Sequence, residues 1–181
     1  MRRHIAFLRA LNVGGHTVKM EDLRAMFEAL GFTAVETFIA SGNVIFQSRA
    51  KGDAALERKI EARLLRELGY EVKTFLRSDA EVAAIAQYQA FKPALLKEAV
   101  ALNVAFLAAP LDAEQEGRLQ QKFRTDIDEF HAHGRELYWL CRRKQSESDF
   151  SNVVLERALK LRATFRGINT VRKLAEKYSP G

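Results

Sequence analysis

The sequence predicts an α+β fold made of two halves in tandem, with a connecting helix between them and an extra helix at the C-terminus. Three observations predict it. Short apolar runs rich in Val, Ile and Phe alternate with longer stretches whose apolar residues recur every three or four positions. Glycines and capping residues fall where one period gives way to the other. The resulting order, βαββαβ, is met twice along 181 residues.

The first half reads clearly. His4–Ala10 (HIAFLRA) is an apolar, β-rich run and predicts a strand. From Met20 the spacing changes: Met20, Leu23, Met26, Phe27 and Leu30 share one helical face, Glu21 and Asp22 favour its first turn, and Gly31 ends it. Val35–Ile39 predicts a second strand, Ser41-Gly42-Asn43 a turn, and Val44–Gln47 the returning strand. Leu56, Ile60, Leu64 and Leu68 mark a helix closed by Gly69, and Tyr70–Leu76 predicts a fourth strand. Ser78-Asp79-Ala80-Glu81 has the form of a capping box and starts a helix through about Tyr88; with the softer stretch to Ala99 it makes the connection.

The second half repeats the order more faintly. Leu102–Leu107 predicts a strand, Asp112 to Lys122 a polar helix, and Asp128–His131 with Leu137–Cys141 a hairpin turning at His133-Gly134. Val153–Leu161 predicts a helix, Ala163–Phe165 a short strand, and Asn169 or Thr170 the cap of a last helix carrying Val171, Leu174, Ala175 and Tyr178. The order βαββαβ is that of a ferredoxin-like unit. The expected organisation is a first ferredoxin-like half over 1–78, a helical connection over 79–99, and a second half with the C-terminal helix over 100–181.

Charge is unevenly spread. The net charge is +6, and residues 142–177 hold ten Lys or Arg against four Asp or Glu, so this span carries the whole excess. Such asymmetry suits a polyanionic or phosphate-bearing partner, and equally a solvated basic face. One cysteine, Cys141, excludes an internal disulfide and reads as a reduced strand residue. Arg9 interrupts the first apolar run too early for a signal peptide, and nothing approaches the length of a membrane span. The expected compartment is the cytoplasm, with no membrane partner.

The stretch LNVGGHTVKM, Leu11–Met20, joins the first strand to the first helix. In a ferredoxin-like sheet the end of strand one lies on the same edge as the hairpin between strands two and three. Gly14-Gly15 and Ser41-Gly42-Asn43 should therefore sit close, with His16 and Lys19 near. Such turns beside a helix N-terminus can hold an anion. They can equally be glycine turns required by positive φ alone. The pattern is neither a P-loop nor a dinucleotide fingerprint.

These residues carry a resemblance. HIAFLRALNVGGHTVKMEDLRAMFEALGF followed by ETFIASGNVIFQS resembles the opening of the bacterial domain of unknown function 1697 family, whose members read like YIALLRGINVGG…KMADLR…LGF…YIQSGNVVF. The tail ATFRGINTVRKL resembles that family's TTRNWNTVxKL. The resemblance implies two ferredoxin-like halves and no established activity, substrate or ligand. Position by position, the matching polar residues are Arg9, Asn12, Gly14, Gly15, Lys19, Ser41, Gly42, Asn43, Arg166, Asn169 and Thr170, and these are the candidate anion-binding residues. The chain departs at Gly167 and Ile168, where the family shows Asn and Trp.

Other candidates are weaker. His131 and His133 share a strand face, but two histidines make no metal site, and they read as hairpin surface residues. His4 reads as a half-exposed strand residue. Phe7 and Phe46 lie on strands one and three, where an RNA-recognition module stacks bases, but SGNVIFQS is not its signature and both read as core. Arg166, Asn169 and Thr170 beside the last helix make a second oxyanion or phosphate site; their other reading is a cap and a surface ion pair. No catalytic residue, metal or cofactor is identified. Three functions stand. The first is a binding protein for nucleic acid or a phosphorylated small molecule at glycine-rich turns. The second is an enzyme on a small phosphorylated or carboxylated substrate, with Arg9, Lys19 or Arg166 stabilising charge. The third is a homo-oligomer paired through sheet edges, with no ligand.

Overall fold

In the computed structural model, which describes residues 1–39 and 42–181, the first apolar run becomes β1 (Arg2–Leu8), one of the two inner strands of its sheet. It is followed by α1 (Met20–Glu28), β2 (Thr33–Thr37), β3 (Asn43–Ser48), α2 (Asp53–Leu68) and β4 (Thr74–Ser78). The strands pair antiparallel in the order β2-β3-β1-β4. Ala6 and Leu8 turn one face of β1 onto Leu23 and Phe27 of α1 and Leu56, Ile60 and Leu64 of α2. Each such Leu, Ile or Phe side chain contributes roughly 1.5–3 kcal/mol by leaving water. The 3.6-residue spacing is what brings these side chains to one helix face. Gly69, at φ +80°, ends α2 in the left-handed conformation that an L side chain resists.

The second half contains α4 (Pro93–Glu98), β5 (Ala101–Leu107), α5 (Ala113–Phe123), β6 (Asp128–His133), β7 (Glu136–Cys141), α6 (Asn152–Leu159) and β8 (Ala163–Gly167). Its sheet has the order β6-β7-β5-β8, again antiparallel. Trp139, Phe150, Leu119, Leu155 and Leu159 build its core. Two further helices, α3 (Asp79–Gln87) and α7 (Ile168–Lys177), follow directly on β4 and β8. The fold is thus α+β, with two four-stranded antiparallel sheets and seven α-helices among the described residues. The chain divides into two compact units, Met1–Ala83 with Leu174–Gly181, and Ala84–Lys173. Among the described residues, no helix is long and apolar enough to cross a membrane.

The local signals translate directly. The Ser78–Glu81 capping box forms, Ser78 N donating to Glu81 Oε2 at 2.7 Å and Glu81 N to Ser78 Oγ at 3.1 Å. The polar helix α5 buries only Leu119, but Asp112 and Gln115 cap it reciprocally at 2.7 and 3.0 Å, which supports a start that apolar content alone does not. The connection holds two helices, because Pro93 restricts Lys92 to an extended backbone and restarts the helix.

Three expectations are corrected. The fourth strand begins at Thr74, not Tyr70. The Tyr70 hydroxyl donates to Leu11 O at 2.6 Å and its ring stacks on His16 at 4.2 Å, which draws the chain off the sheet. From Thr74 on, carboxylates of α2 cover the strand's outer edge: Glu61 accepts from Thr74 N at 3.2 Å and Glu57 from Leu76 N at 3.0 Å. The last helix begins at Ile168, so Asn169 and Thr170 lie inside its first turn and do not cap it. His4 is fully buried, not half exposed, because β1 is flanked on both sides, by Phe46 of β3 and Ser78 of β4. Phe7 and Phe46 are buried as well, Phe46 stacking on Phe32 at 4.3 Å.

Candidate functional site

The glycine edge forms, and most of its residues have structural duties. Leu8 N donates to Gly42 O at 2.9 Å, so the end of β1 does meet the β2–β3 turn. Gly42 has φ +83°, and a Cβ there would lie 3.2 Å from Leu8 Cβ. Asn43 is buried and its Nδ2 donates to Phe38 O at 3.0 Å. Asn12 Oδ1 accepts from Val18 N at 3.0 Å and closes the loop around Gly14 (φ +64°) and Gly15 (φ +84°). Arg9 is held at its backbone, where its N–H donates to Lys73 O at 2.8 Å. Lys19 precedes α1, whose first turn carries Glu21 and Asp22. Those carboxylates already face the partial positive charge at this helix start, which disfavours a second anion there. Ser41 lies outside the described residues.

The other candidates belong to the second unit, and the structure separates them. Successive residues of a strand point to opposite faces. Arg166 therefore shares a face of β8 with Thr164, away from Ala163, Phe165 and Gly167; it is buried there, and its Nη1 donates to Thr164 Oγ1 and Phe165 O at 2.8 Å each. Burial pushes its guanidinium down to about 10, so it remains a cation at neutral pH. It does not line the cavity that opens beside Gly167, Asn169 and Thr170.

That cavity, about 400 Å³, lies at the start of α7. Two residues not singled out from the sequence complete it. Asn103, on β5 directly opposite Gly167, is only 8% exposed. Its carboxamide makes no hydrogen bond to the described residues, yet it borders the cavity. A Cβ on Gly167 would lie 3.8 Å from Asn103 Oδ1, in ordinary contact, so the carboxamide stands directly beside this glycine. Lys144 supplies the cation. Its neighbour Arg142 is occupied by Glu98 at 2.6 Å, Glu129 at 3.4 Å and Asp126 O at 3.1 Å. Gly167 and Ile168, the two departures from the family pattern, both form the wall. An Asn inside the apolar run Leu102–Leu107 was the sequence signal for Asn103.

The cavity presents hydrogen-bond donors and positive charge. The first N–H groups of a helix have no intrahelical partner, and the helix dipole adds positive potential. Asn103 and Thr170 add donors, Lys144 a full charge, and no carboxylate lines the cavity among the described residues.

Other cavities are larger but less apt. One of about 470 Å³ holds Arg49 and Lys59, whose ammonium donates to Leu30 O at 3.1 Å and lies over the Phe32 ring. Another of about 470 Å³ is lined by Asp126, Asp128, Glu147 and Asp149. Asp128 there accepts from Trp139 Nε1 at 2.8 Å and Ser148 Oγ at 2.8 Å. His131 and His133 both engage Tyr88, the first at 2.8 Å from its hydroxyl, the second stacked at 3.9 Å. Cys141 is buried, and burial pushes its thiol up, away from the reactive thiolate.

Comparison with known proteins places the chain. The model of a family described as "Protein of unknown function (DUF1697)" matches residues 1–138. A solved structure of conserved bacterial protein SP0830 from Streptococcus pneumoniae has the same fold, with TM-score 0.77 and 21% identity over 98% of this chain and 99% of that one. No curated protein matches.

Proposed function

The chain belongs to the DUF1697 family of proteins of unknown function, and from that premise we propose that it is a cytoplasmic binding protein for an anionic group held at the start of α7. Each half is, in this reading, a ferredoxin-like unit, since the strand orders β2-β3-β1-β4 and β6-β7-β5-β8 are those of a split βαβ arrangement. One observation carries the anion reading: a nine-tenths-buried carboxamide, Asn103, without a partner among the described residues, at a cavity shared with a helix N-terminus and Lys144. Thr170 and Asn169, candidates from the sequence, line it; Gly14, Gly15 and Gly42 do not. The cavity offers donors and charge rather than a nucleophile with a base, which favours binding over turnover.

Titration of the labelled protein with inorganic phosphate at low salt tests this. The Asn103 side-chain amide and the Asn169 and Thr170 backbone amides are expected to shift together and saturably. Lys144→Ala should weaken the effect by about three- to tenfold, equivalent to roughly 0.7–1.4 kcal/mol. Shifts spread over the basic surface without saturation at these three residues would refute the reading.

A further inference from the structure

We infer that the α7 cavity receives one terminal oxyanion of a compact small molecule, in the place that the protein's own carboxylates fill in the first unit. This rests on the anion reading above and deepens it.

The two units provide an internal comparison. In each, a strand runs straight into a helix: β4 into α3 at Asp79, β8 into α7 at Ile168. The registers correspond, with His4 of the inner strand opposite Ser78 and Asn103 of the other inner strand opposite Gly167. Ser78-Asp79-Ala80-Glu81 therefore corresponds to Gly167-Ile168-Asn169-Thr170. In the first unit Glu81 accepts from Ser78 N at 2.7 Å and Asp79 Oδ1 from Ala80 N at 2.9 Å. That helix start is filled from within. In the second unit no carboxylate stands at the corresponding positions, a cavity of about 400 Å³ opens, and Asn103 turns an unpartnered carboxamide to it.

Size and charge define the ligand. The volume is near the low end for small-molecule sites. A polynucleotide needs a row of cations along its backbone, and the lining carries one, Lys144. Val100, Leu102 and Ile168 leave an apolar wall for a short carbon skeleton. A phosphate monoester and a carboxylate share this terminal chemistry.

The test is titration of the full chain with inorganic phosphate, acetate and a short oligothymidylate, read at Asn103, Asn169 and Thr170. Thr170→Glu places a carboxylate where Glu81 stands and is expected to lower oxyanion affinity at least about tenfold without lowering the melting temperature. Thr170→Gln, which fills the same space without the charge, should lower the affinity less than Thr170→Glu does, and so separates the charge from the occlusion. Asn103→Leu, which removes the unpartnered amide, should abolish binding and leave the fold intact; it keeps the inference testable should Thr170→Glu not fold. Response to phosphate alone identifies a phosphate monoester, and response to acetate alone a carboxylate. Undiminished affinity in Thr170→Glu and Asn103→Leu overturns the inference, as does oligothymidylate binding tighter than phosphate and indifferent to these variants. No response of the wild type to either small oxyanion overturns the anion reading itself.

Discussion

Replacing His4 by Phe should remove an acid sensitivity built into the first unit. The imidazole is fully buried, stacked on Phe46 at 5.2 Å, and neither ring nitrogen has a hydrogen-bond partner among the described residues. Burial lowers its pKa from the ordinary 6.5, opposed by Asp53, whose Oδ1 stands 3.8 Å from Nδ1, and by Asp79 and Glu81; Arg2 reinforces the lowering. The folded protein therefore holds His4 neutral in a range where the unfolded chain takes up a proton. Stability contributed in this way is whole above pH 6.5 and falls as the pH drops below it. With His4 neutral throughout, the loss between pH 7.5 and 5.0 is about 2 kcal/mol, the ceiling set by the unfolded value. Urea unfolding at the two pH values, with wild type and His4→Phe side by side, isolates this residue, since His16, His131 and His133 remain in both. The variant should lose up to about 2 kcal/mol less than wild type over the interval. At pH 7.5 it should be at least as stable, because it buries no unsatisfied nitrogen. Parallel losses in the two proteins would refute the reasoning.

Two further outcomes follow from packing and hydrogen bonding. Gly42→Ala should cost about 2–3 kcal/mol in urea unfolding, from its φ of +83° and a Cβ 3.2 Å from Leu8 Cβ; a change under about 0.5 kcal/mol would contradict that geometry. Asp128→Ala strips acceptors from Trp139, Ser148 and Thr125 at once and should destabilise by on the order of 3 kcal/mol or more, with a shift in the emission of Trp139, the chain's one tryptophan. Unchanged emission and stability would show that the buried carboxylate does not hold this corner of the core.

Much of the architecture could be read without coordinates where the signal was local. The α3 start at Ser78–Glu81 was legible because its two hydrogen bonds close within four residues. The stop at Gly69 was legible because the left-handed backbone it adopts selects glycine by itself. The start of β4 was not, since Tyr70 is drawn away by Leu11, 59 residues earlier. In the candidate site, Asn169 and Thr170 were legible as residues at a helix start. Arg166 was misread because strand alternation sets it with Thr164 on the face away from Gly167 and the cavity, and Asn103 was missed because a polar residue in an apolar run acquires meaning only from what lies opposite.

The sequence alone determined the order of the strands, the helix start at Ser78–Glu81 and the helix stop at Gly69, and the basic excess of residues 142–177. Backbone sterics, capping and side-chain periodicity act over a few residues, so the chain carries them wherever it goes. The tertiary structure decided the environments. Setting β1 and β5 in the interior of their sheets buried His4 beside Phe46. The same placement put Asn103 opposite Gly167 at an open cavity. Those outcomes depend on strands paired far apart in the chain, His4 with Phe46 and Ser78 and Asn103 with Gly167, and a side chain's desolvation is set by the neighbours that such pairing brings.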